Sequence, residues 1–234
     1  MQVPASVYIL RVNWNYSEGD KIDAFAAIGT VEGPSSYILH AERTALNILS
    51  RASGIATKFR IDALFGRADN LNQLKLGHRW RGHICGTRKT TPGFRLVEKY
   101  SLAVGGISMH RNDLSHLVML KDNHIHLLRQ KGNLLIDIIE IELSSVSEFD
   151  DILSSKPDII MLDNFPPEVC TVLAARLKSQ NPEILIEASG GIDMVNIDKY
   201  FDESIDIISS GCLTTTQSIL DFSLKFEKFG PFIE

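Results

Sequence analysis

From residue 83 onward, short apolar runs recur along the chain, and each is followed by polar residues. The runs are HICG, HLVML, IDIIEIE, PDIIML, EILIEA and IDIIS. Continuous runs of Val, Ile and Leu are typical of strands that are covered on both faces, and helical patterns separate several of them. The pattern therefore predicts βα units around a parallel sheet, in an α/β barrel that has fewer than eight strands.

The first part of the chain has a different pattern. The stretches SVYILRVNW and AAIGTVEGP, separated by polar residues, predict a small β-rich element up to about residue 40. The next stretch, HAERTALNILSRASGIATKF, predicts a helix, because its apolar residues recur at helical spacing. The residues expected on the apolar face of that helix are Ala45, Leu46, Ile48 and Leu49.

Composition and charge exclude several classes of protein. Of the 234 residues, 44% are hydrophobic and 23% are charged, and the formal net charge is -5. That charge argues against a broad cationic surface for nucleic acid or for acidic membranes, and no apolar run reaches membrane-spanning length. Cys85, Cys170 and Cys212 are far apart and in no metal-ligand spacing, so we expect neither a disulfide nor zinc, and a cytoplasmic location.

Polar residues at the ends of the predicted strands form the candidate site. The carboxyl ends of barrel strands meet at one face, where active sites are built. The residues at these ends are Arg88, Lys89, Lys121, Glu142, Asp163, Ser189, Gly190, Gly191 and Gly211, and the loop SMHRNDL adds His110 and Arg111. So many cations at one mouth predict a multiply anionic ligand, one that carries carboxylates and phosphates.

The glycines and the acidic residues indicate which further groups the ligand carries. Ser189, Gly190, Gly191 and Gly211 follow strands and precede predicted helices, where backbone N–H groups can bind a phosphate. Glu142 and Asp163 cannot face a phosphate unaided, so a bridging divalent cation or ribose hydroxyls are the expected partners. Magnesium prefers hard oxygen ligands of this kind.

Each signal also has an ordinary structural interpretation. A single lysine or arginine is more often a solvated surface cation, and an isolated Gly-Gly is usually a turn. His110 alone could be a structural histidine, and Glu140 could pair with a lysine. His116, His124 and His126 are interpreted as structural or exposed. The repetition of polar residues at successive strand ends favours the functional interpretation.

The stretch GTRKTTPGFRLVEKY, followed by HRNDL, LVMLKDNH, MLDNF, EASGGI and DIISSGCLT, resembles the quinolinate phosphoribosyltransferase family. The resemblance covers most of the chain. It implies a two-domain fold, with an N-terminal α/β sandwich and a C-terminal α/β barrel of fewer than eight strands. We accordingly expect a remnant of the sandwich in residues 1–40, the barrel in 41–215, and a C-terminal segment, 216–234, that packs back on the N-terminal domain.

The resemblance also implies the reaction, in which quinolinate and phosphoribosyl pyrophosphate give nicotinate mononucleotide, pyrophosphate and carbon dioxide with magnesium. Arg88, His110 and Arg111 would surround the quinolinate carboxylates, and Lys89 and Lys121 would lie nearer the phosphoribosyl group. Further matches are Thr90 beside the cations, Glu142 and Asp163 for ribose and metal, and the four phosphate-loop residues Ser189, Gly190, Gly191 and Gly211. Arg43 matches an arginine that the family delivers from a neighbouring subunit. A homodimer or higher homo-oligomer is therefore expected.

The sequence departs from the family pattern at two places. Family members begin with a longer N-terminal domain, and the connection HLLRQKGN is barely long enough for a helical crossover. Two alternatives to the active enzyme follow. One is a truncated chain with impaired catalysis that binds quinolinate or pairs with a full-length subunit. The other is a nicotinate phosphoribosyltransferase, against which the density of cations argues.

Overall fold

The computed structural model describes residues 10–60, 80–113, 118–120, 139–216 and 219–226. The strands are β1 (Arg11–Trp14), β2 (Gly29–Glu32), β3 (His83–Gly86), β4 (Ser108–Met109), β5 (Val118–Leu120), β6 (Ile139–Leu143), β7 (Ile159–Asp163), β8 (Leu185–Ser189) and β9 (Ile207–Ser210). The α-helices are α1 (Ser35–Lys58), α2 (Arg95–Val104), α3 (Phe149–Ser154), α4 (Pro167–Gln180) and α5 (Cys212–Thr215), with 3₁₀ turns at Val146–Glu148 and Ile197–Tyr200.

Seven of the strands form one sheet in the order β4-β3-β9-β8-β7-β6-β5, and every pair in it is parallel. A barrel of fewer than eight strands is therefore confirmed. Within the part of the chain that the structure describes, β4 and β5 are the edge strands of this sheet. The sequence pattern missed β4, because a strand of two residues is too short to show a periodicity.

The outer face of the sheet packs against the helices. Successive strand residues point to opposite faces, and the alternating apolar positions Ile160, Leu162, Ile186 and Ile208 are fully buried. Leu177 of α4 is in the same hydrophobic core. Burying each such side chain stabilises the fold by about 1.5–3 kcal/mol. The continuous apolar runs of the sequence therefore form the wall of the barrel.

The inner face of the sheet is polar. The register pairs Glu142 with Met161, and Met161 with Glu187, so these three side chains share the inner face. At the next inward level, the hydroxyl of Ser209 donates to Ser189 at 2.9 Å. The carboxyl ends of the strands thus enclose buried polar side chains, which is the environment expected of a binding site rather than of a core.

Helix α1 confirms the predicted helix but not its whole apolar face. Ile38 and Ile55 are buried, whereas Ala45 and Ile48 are exposed. The part of the predicted apolar face that Ala45 and Ile48 form is therefore not covered within the described residues, where α1 packs against α2. Ahead of α1, β1 and β2 pair antiparallel, which agrees with the predicted β-rich start.

The ends and connections of the chain complete the picture. The backbone N–H of Leu220 donates to the carbonyl of Ser50 in α1 at 3.1 Å, so the segment after the barrel contacts the first helix. The divisions at residues 40 and 215 remain predictions. The connection HLLRQKGN lies outside the described residues. In the part that is described, no helix combines the length and the apolar character that crossing a membrane requires.

Candidate active site

The loop after β3 carries the first group of predicted cations. Gly86 pairs with Ser210 of β9, so this loop begins beside the loop that contains Gly211. The hydroxyl of Thr214 donates to the carbonyl of Lys89 at 2.6 Å. A Cβ atom placed on Gly211 would lie 3.1 Å from Cδ of Lys89, so the glycine leaves room for the lysine stem. Lys89 and Gly211 therefore lie together.

Arg88 and Arg111 come from neighbouring loops, because β4 pairs with β3. Arg111 is only 8% exposed. Burial and the positive charge of Arg88 lower the pKa of Arg111, whereas the carboxylates of Glu140, Glu187 and Glu142 oppose that shift. Two cations in such proximity repel each other unless an anion binds beside them. This part of the site is therefore suited to an anionic ligand.

Arg95 of α2 connects the two cationic loops. Its guanidinium donates to the carbonyl of Arg88 at 3.3 Å, to the hydroxyl of Thr90 at 3.2 Å, and to the carbonyl of Asn112 at 2.9 Å. The planar guanidinium suits this role, since it offers several donors in a fixed arrangement. The hydroxyl of Thr90 also donates to the Arg88 carbonyl at 3.4 Å, so Thr90 contributes to the shape of the loop.

Glu98, also on α2, anchors the turn that follows Thr90. Its fully buried carboxylate accepts from the Thr91 backbone N–H at 3.0 Å, from the Thr91 hydroxyl at 2.8 Å, and from Arg51 at 2.8 Å. Arg51 is on α1 and donates further to the carbonyls of Thr214 and Thr216. A buried charge pair is retained only when its remaining polar atoms are satisfied, and this network does so.

His110 lies at the entrance to a buried acidic cluster. The backbone N–H of Arg111 donates to His110 Nδ1 at 2.9 Å, so Nδ1 is an acceptor and the ring proton lies on Nε2. Nε2 is 3.0 Å from Glu187 Oε2 and 3.8 Å from Glu140 Oε2. Among the described residues, His110, Glu140 and Glu187 are the group that could hold a metal ion, with ligand atoms within 4.8 Å of one another.

Glu142 and Asp163 lie at the carboxyl ends of adjacent strands. Glu142 is buried on β6, and Asp163 is half-buried at the last position of β7. Asp163 pairs with Ser189 of β8, and its Oδ2 accepts from the side-chain amide of Asn164 at 2.6 Å. The two predicted acidic residues are therefore on the same edge of the sheet as the cationic loops.

The loop after β8 requires glycine at two positions. Gly190 and Gly191 have φ angles of +86° and +64°, in the left-handed region that favours glycine. A Cβ atom on Gly190 would lie 2.3 Å from Oδ1 of Asn164, which follows Asp163 directly. The hydroxyl of Ser210 donates to the carbonyl of Ile192 at 2.5 Å, and so joins this loop to the loop after β9.

The structure brings most of the predicted site residues to one edge of the sheet. The residues at this edge are Arg88, Lys89, Thr90, His110, Arg111, Glu142, Asp163, Ser189, Gly190, Gly191 and Gly211. Arg43 is not among them: it is exposed on α1, and no hydrogen bond or ion pair within the described ranges joins it to that edge. Lys121, His116, His124 and His126 lie outside the described residues.

Four residues of the site were not singled out from the sequence. Three of them are Arg95, Glu98 and Lys99, which lie at helical spacing in FRLVEKY, directly after the cationic loop. That spacing, which places all three on one helix face, was the available signal. The fourth is Glu187, and its signal was a charge inside an apolar strand run. Glu140 was noticed as a residue that could pair with a lysine, and the structure places its carboxylate 3.8 Å from His110 Nε2.

Comparisons with known proteins point to one family. Residues 5–53 match the family model for the N-terminal domain of quinolinate phosphoribosyl transferase, and residues 70–225 match that for its C-terminal domain. The chain is 42% identical to the human nicotinate-nucleotide pyrophosphorylase (carboxylating) over 225 residues, which cover 92% of this chain and 72% of the human protein. It is 35% identical to the probable enzyme of that name from Archaeoglobus fulgidus, over 89% of this chain and 80% of that protein. The crystal structure of nicotinate-nucleotide pyrophosphorylase from Ehrlichia chaffeensis is similar with a TM-score of 0.74 and 29% identity, over 91% of this chain and 75% of the other.

Proposed function

The chain belongs to the quinolinate phosphoribosyltransferase family, and from that premise we propose that it converts quinolinate and phosphoribosyl pyrophosphate to nicotinate mononucleotide, pyrophosphate and carbon dioxide. This reaction is the step of de novo NAD biosynthesis that the family carries out. We further propose that it works in the cytoplasm, as the composition predicts.

The observation that carries the proposal is the pairing of two guanidinium groups beside buried carboxylates. Burial and the positive charge of Arg88 lower the pKa of Arg111, which is only slightly exposed. A dicarboxylate such as quinolinate relieves this repulsion at both cations, whereas a monocarboxylate such as nicotinate relieves it at one. Both ring nitrogens of His110 are used within the protein, so we propose that His110 supports Arg111 rather than donating to the substrate.

The phosphoribosyl part of the ligand fits the opposite side of the same edge. A Cβ atom on Gly191 would meet nothing within 4 Å, so the loop is open there to a phosphate, and the stem of the exposed Lys89 lies beside Gly211. Lysine acts as a point charge toward phosphate oxygens. We therefore assign Lys89 to the junction between the two substrates, with Lys121, Ser189 and Thr90 as further predicted contacts.

The reaction proceeds through charge separation at the ribose. As the bond between C1 of the ribose and pyrophosphate breaks, the electron pair leaves with the pyrophosphate, and the pyridine nitrogen of quinolinate forms the new bond to C1. The positive charge of Lys89 stabilises the developing negative charge on pyrophosphate, while Arg88 and Arg111 hold the carboxylates of quinolinate. The bond between the ring carbon next to this nitrogen and its carboxylate then breaks, and carbon dioxide leaves. The electron pair of that bond stays on the ring carbon, where the positive charge of the quaternised nitrogen stabilises it, and a proton from solvent adds to that carbon.

Magnesium fits the described residues at Glu142 and Asp163. Mg²⁺ is commonly held by one or two carboxylates together with substrate phosphates, and these two carboxylates lie at adjacent strand ends. The group formed by His110, Glu140 and Glu187 suits it less, because the proton on Nε2 makes His110 a donor rather than a ligand. When bound, magnesium would neutralise part of the charge on pyrophosphate.

We also propose that the working unit is a homo-oligomer in which Arg43 reaches the site of a neighbouring copy. Arg43 is exposed on α1, and the same helix exposes the apolar side chains of Tyr37, Leu39 and Ile48. Apolar side chains on one exposed helix favour burial against a second surface. A third arginine at the dicarboxylate would complete the cationic pocket.

Steady-state kinetics on the purified chain test the proposal. We expect magnesium-dependent release of pyrophosphate from phosphoribosyl pyrophosphate with quinolinate, formation of nicotinate mononucleotide, and far lower turnover with nicotinate. Lys89→Ala should lose this activity, while Lys199→Ala, an exposed lysine on the turn Ile197–Tyr200, should retain it. Equal turnover with nicotinate, or none with either substrate in a folded protein, would overturn the proposal.

A further inference from the structure

Lys99 of α2 is one of the most buried charged side chains in the described part of the chain, with 1% of its surface exposed. Lysine is almost never fully buried unless its ammonium has partners. Its Nζ donates to two consecutive carbonyls, those of His110 and Arg111, at 2.5 Å each. The ammonium is therefore bound to the backbone of the loop that carries the predicted substrate ligands.

These two hydrogen bonds fix the backbone of the loop at His110 and Arg111. In the peptide between His110 and Arg111, the carbonyl accepts from Lys99 and the N–H donates to His110 Nδ1, while the carbonyl of the next peptide, that of Arg111, also accepts from Lys99. The imidazole in turn donates to the buried carboxylate of Glu187. Lys99 is thus the first member of a chain of contacts that sets the direction of both the imidazole and the Arg111 side chain.

The charges around Lys99 show that it is not simply the partner of a carboxylate. The groups that act on it most strongly are Arg95 on its own helix, Cys85 of β3, Arg88 of the loop after β3, and Arg111 of the loop after β4. Three of these are cations, so keeping a fourth cation here has an electrostatic cost. The carbonyls offset that cost only in part, since burial and Arg95 lower the pKa of Lys99 from 10.5 to about 8.

Resting on the proposed function, we propose that Lys99 is a positioning residue for the dicarboxylate: its ammonium holds the His110–Arg111 loop so that Arg111 meets a substrate carboxylate. Lys99 does not touch the substrate in this role. It acts through the two carbonyls, and it adds to the positive potential that attracts the dianion. Loss of its charge should therefore weaken binding of quinolinate more than binding of phosphoribosyl pyrophosphate, and more than the chemical step.

The lowered pKa of Lys99 predicts the direction of the pH effect. Above about pH 8 the native chain loses the Lys99 proton, so the KM for quinolinate should rise there. The stability of the fold, in contrast, should increase with pH over this range. Between pH 8 and 10.5 the unfolded chain binds a proton that the native chain lacks, so this residue contributes a free energy of unfolding that increases with pH.

The test compares Lys99→Met with Lys199→Met, a matched change at an exposed lysine. Methionine keeps the length and apolar stem of lysine and removes the ammonium. Two charge-assisted hydrogen bonds are lost, so we expect the KM for quinolinate to rise about tenfold or more. The KM for phosphoribosyl pyrophosphate and kcat should change by far less, and the rise in the quinolinate KM above pH 8 should disappear. Lys199→Met should behave like the unchanged chain.

The outcomes separate this inference from the proposed function. If the unchanged chain shows no turnover with quinolinate, the proposed function fails. If it turns over and folded Lys99→Met has an unchanged KM for quinolinate, the positioning role is wrong although the function stands. Should Lys99→Met fail to fold, Lys99→Gln decides, because its side-chain amide can still donate to a carbonyl but carries no charge: a raised KM for quinolinate in this variant supports the role, and an unchanged KM overturns it.

Discussion

Arg111 combines a guanidinium group with burial, and the carboxylates of Glu140, Glu187 and Glu142 lie near it. A planar guanidinium can bind a carboxylate through two parallel hydrogen bonds, whereas an ammonium cannot. At the scale of single residues, binding of a carboxylate therefore depends on the shape of the cation as well as on its charge.

Arg111→Lys keeps the positive charge and removes the paired donors. We expect kcat/KM for quinolinate to fall about tenfold or more, which corresponds to the loss of one charge-assisted hydrogen bond. Arg81→Lys is the matched control, because Arg81 is exposed just ahead of the opposite end of β3. Steady-state kinetics on both variants measure the effect, and equal values for the two would refute a paired contact at Arg111.

Gly190→Ala tests the backbone of the predicted phosphate loop. Gly93→Ala is its control, since Gly93 also has a positive φ, +73°, but a Cβ atom there meets nothing within 4 Å. Both changes should cost about 1–2 kcal/mol of stability for the left-handed backbone. Only Gly190→Ala adds the collision with Asn164, for about 1–3 kcal/mol more, and raises the KM for phosphoribosyl pyrophosphate. Thermal unfolding together with kinetics would show whether the two variants differ.

At the scale of elements, α2 performs two tasks. Its apolar residues pack, with Leu102 fully buried, while Arg95, Glu98 and Lys99 bind the loops after β3 and β4. The helix therefore fixes the residues proposed to hold the substrate in position relative to the sheet. A change in α2 should affect activity even where no substrate contact is lost.

Glu98→Gln tests this anchoring. Removing the charge of one partner in a buried pair leaves Arg51 uncompensated, and such changes cost about 3–5 kcal/mol. Asp150→Asn is a suitable comparison, because the Asp150–Arg176 pair is exposed and loses about 0–1 kcal/mol. Denaturant unfolding measures both free energies. A loss for Glu98→Gln no larger than that for Asp150→Asn would show that the network does not hold α2.

The elements also show what a sequence can predict. Strands β3 and β5 to β9 were predictable, because buried parallel strands produce continuous apolar runs. The positions of Lys89, Asp163 and Gly190 at one edge followed from the rule that carboxyl ends of parallel strands meet. The short strand β4 and the contacts of Lys99 were not predictable, since a two-residue strand has no period and a lysine in a helix is ordinarily a surface residue.

At the scale of the whole molecule, Arg43 is exposed on α1, and no hydrogen bond or ion pair among the described residues joins it to the site. The family resemblance suggests that a neighbouring copy receives this arginine. Assembly and catalysis would then be coupled, so that dilution below the dissociation constant of the oligomer would remove activity.

Mixing two inactive variants tests the shared site. Arg43→Ala and Lys89→Ala should each be inactive alone, because each removes one contributor from every site. In a mixed dimer one site receives both changes and the other receives neither, so random exchange should restore about a quarter of the normal activity. Activity assays after mixing, with size-exclusion chromatography to verify exchange, measure this. No recovery despite exchange would place Arg43 outside the neighbouring site.

The most direct test of the central claim is the stoichiometry of the products. With quinolinate labelled in the carboxylate next to the ring nitrogen, the account predicts that labelled carbon dioxide and pyrophosphate appear in equal amounts, together with nicotinate mononucleotide. Release of pyrophosphate without carbon dioxide, or retention of the label in the nucleotide, would contradict it.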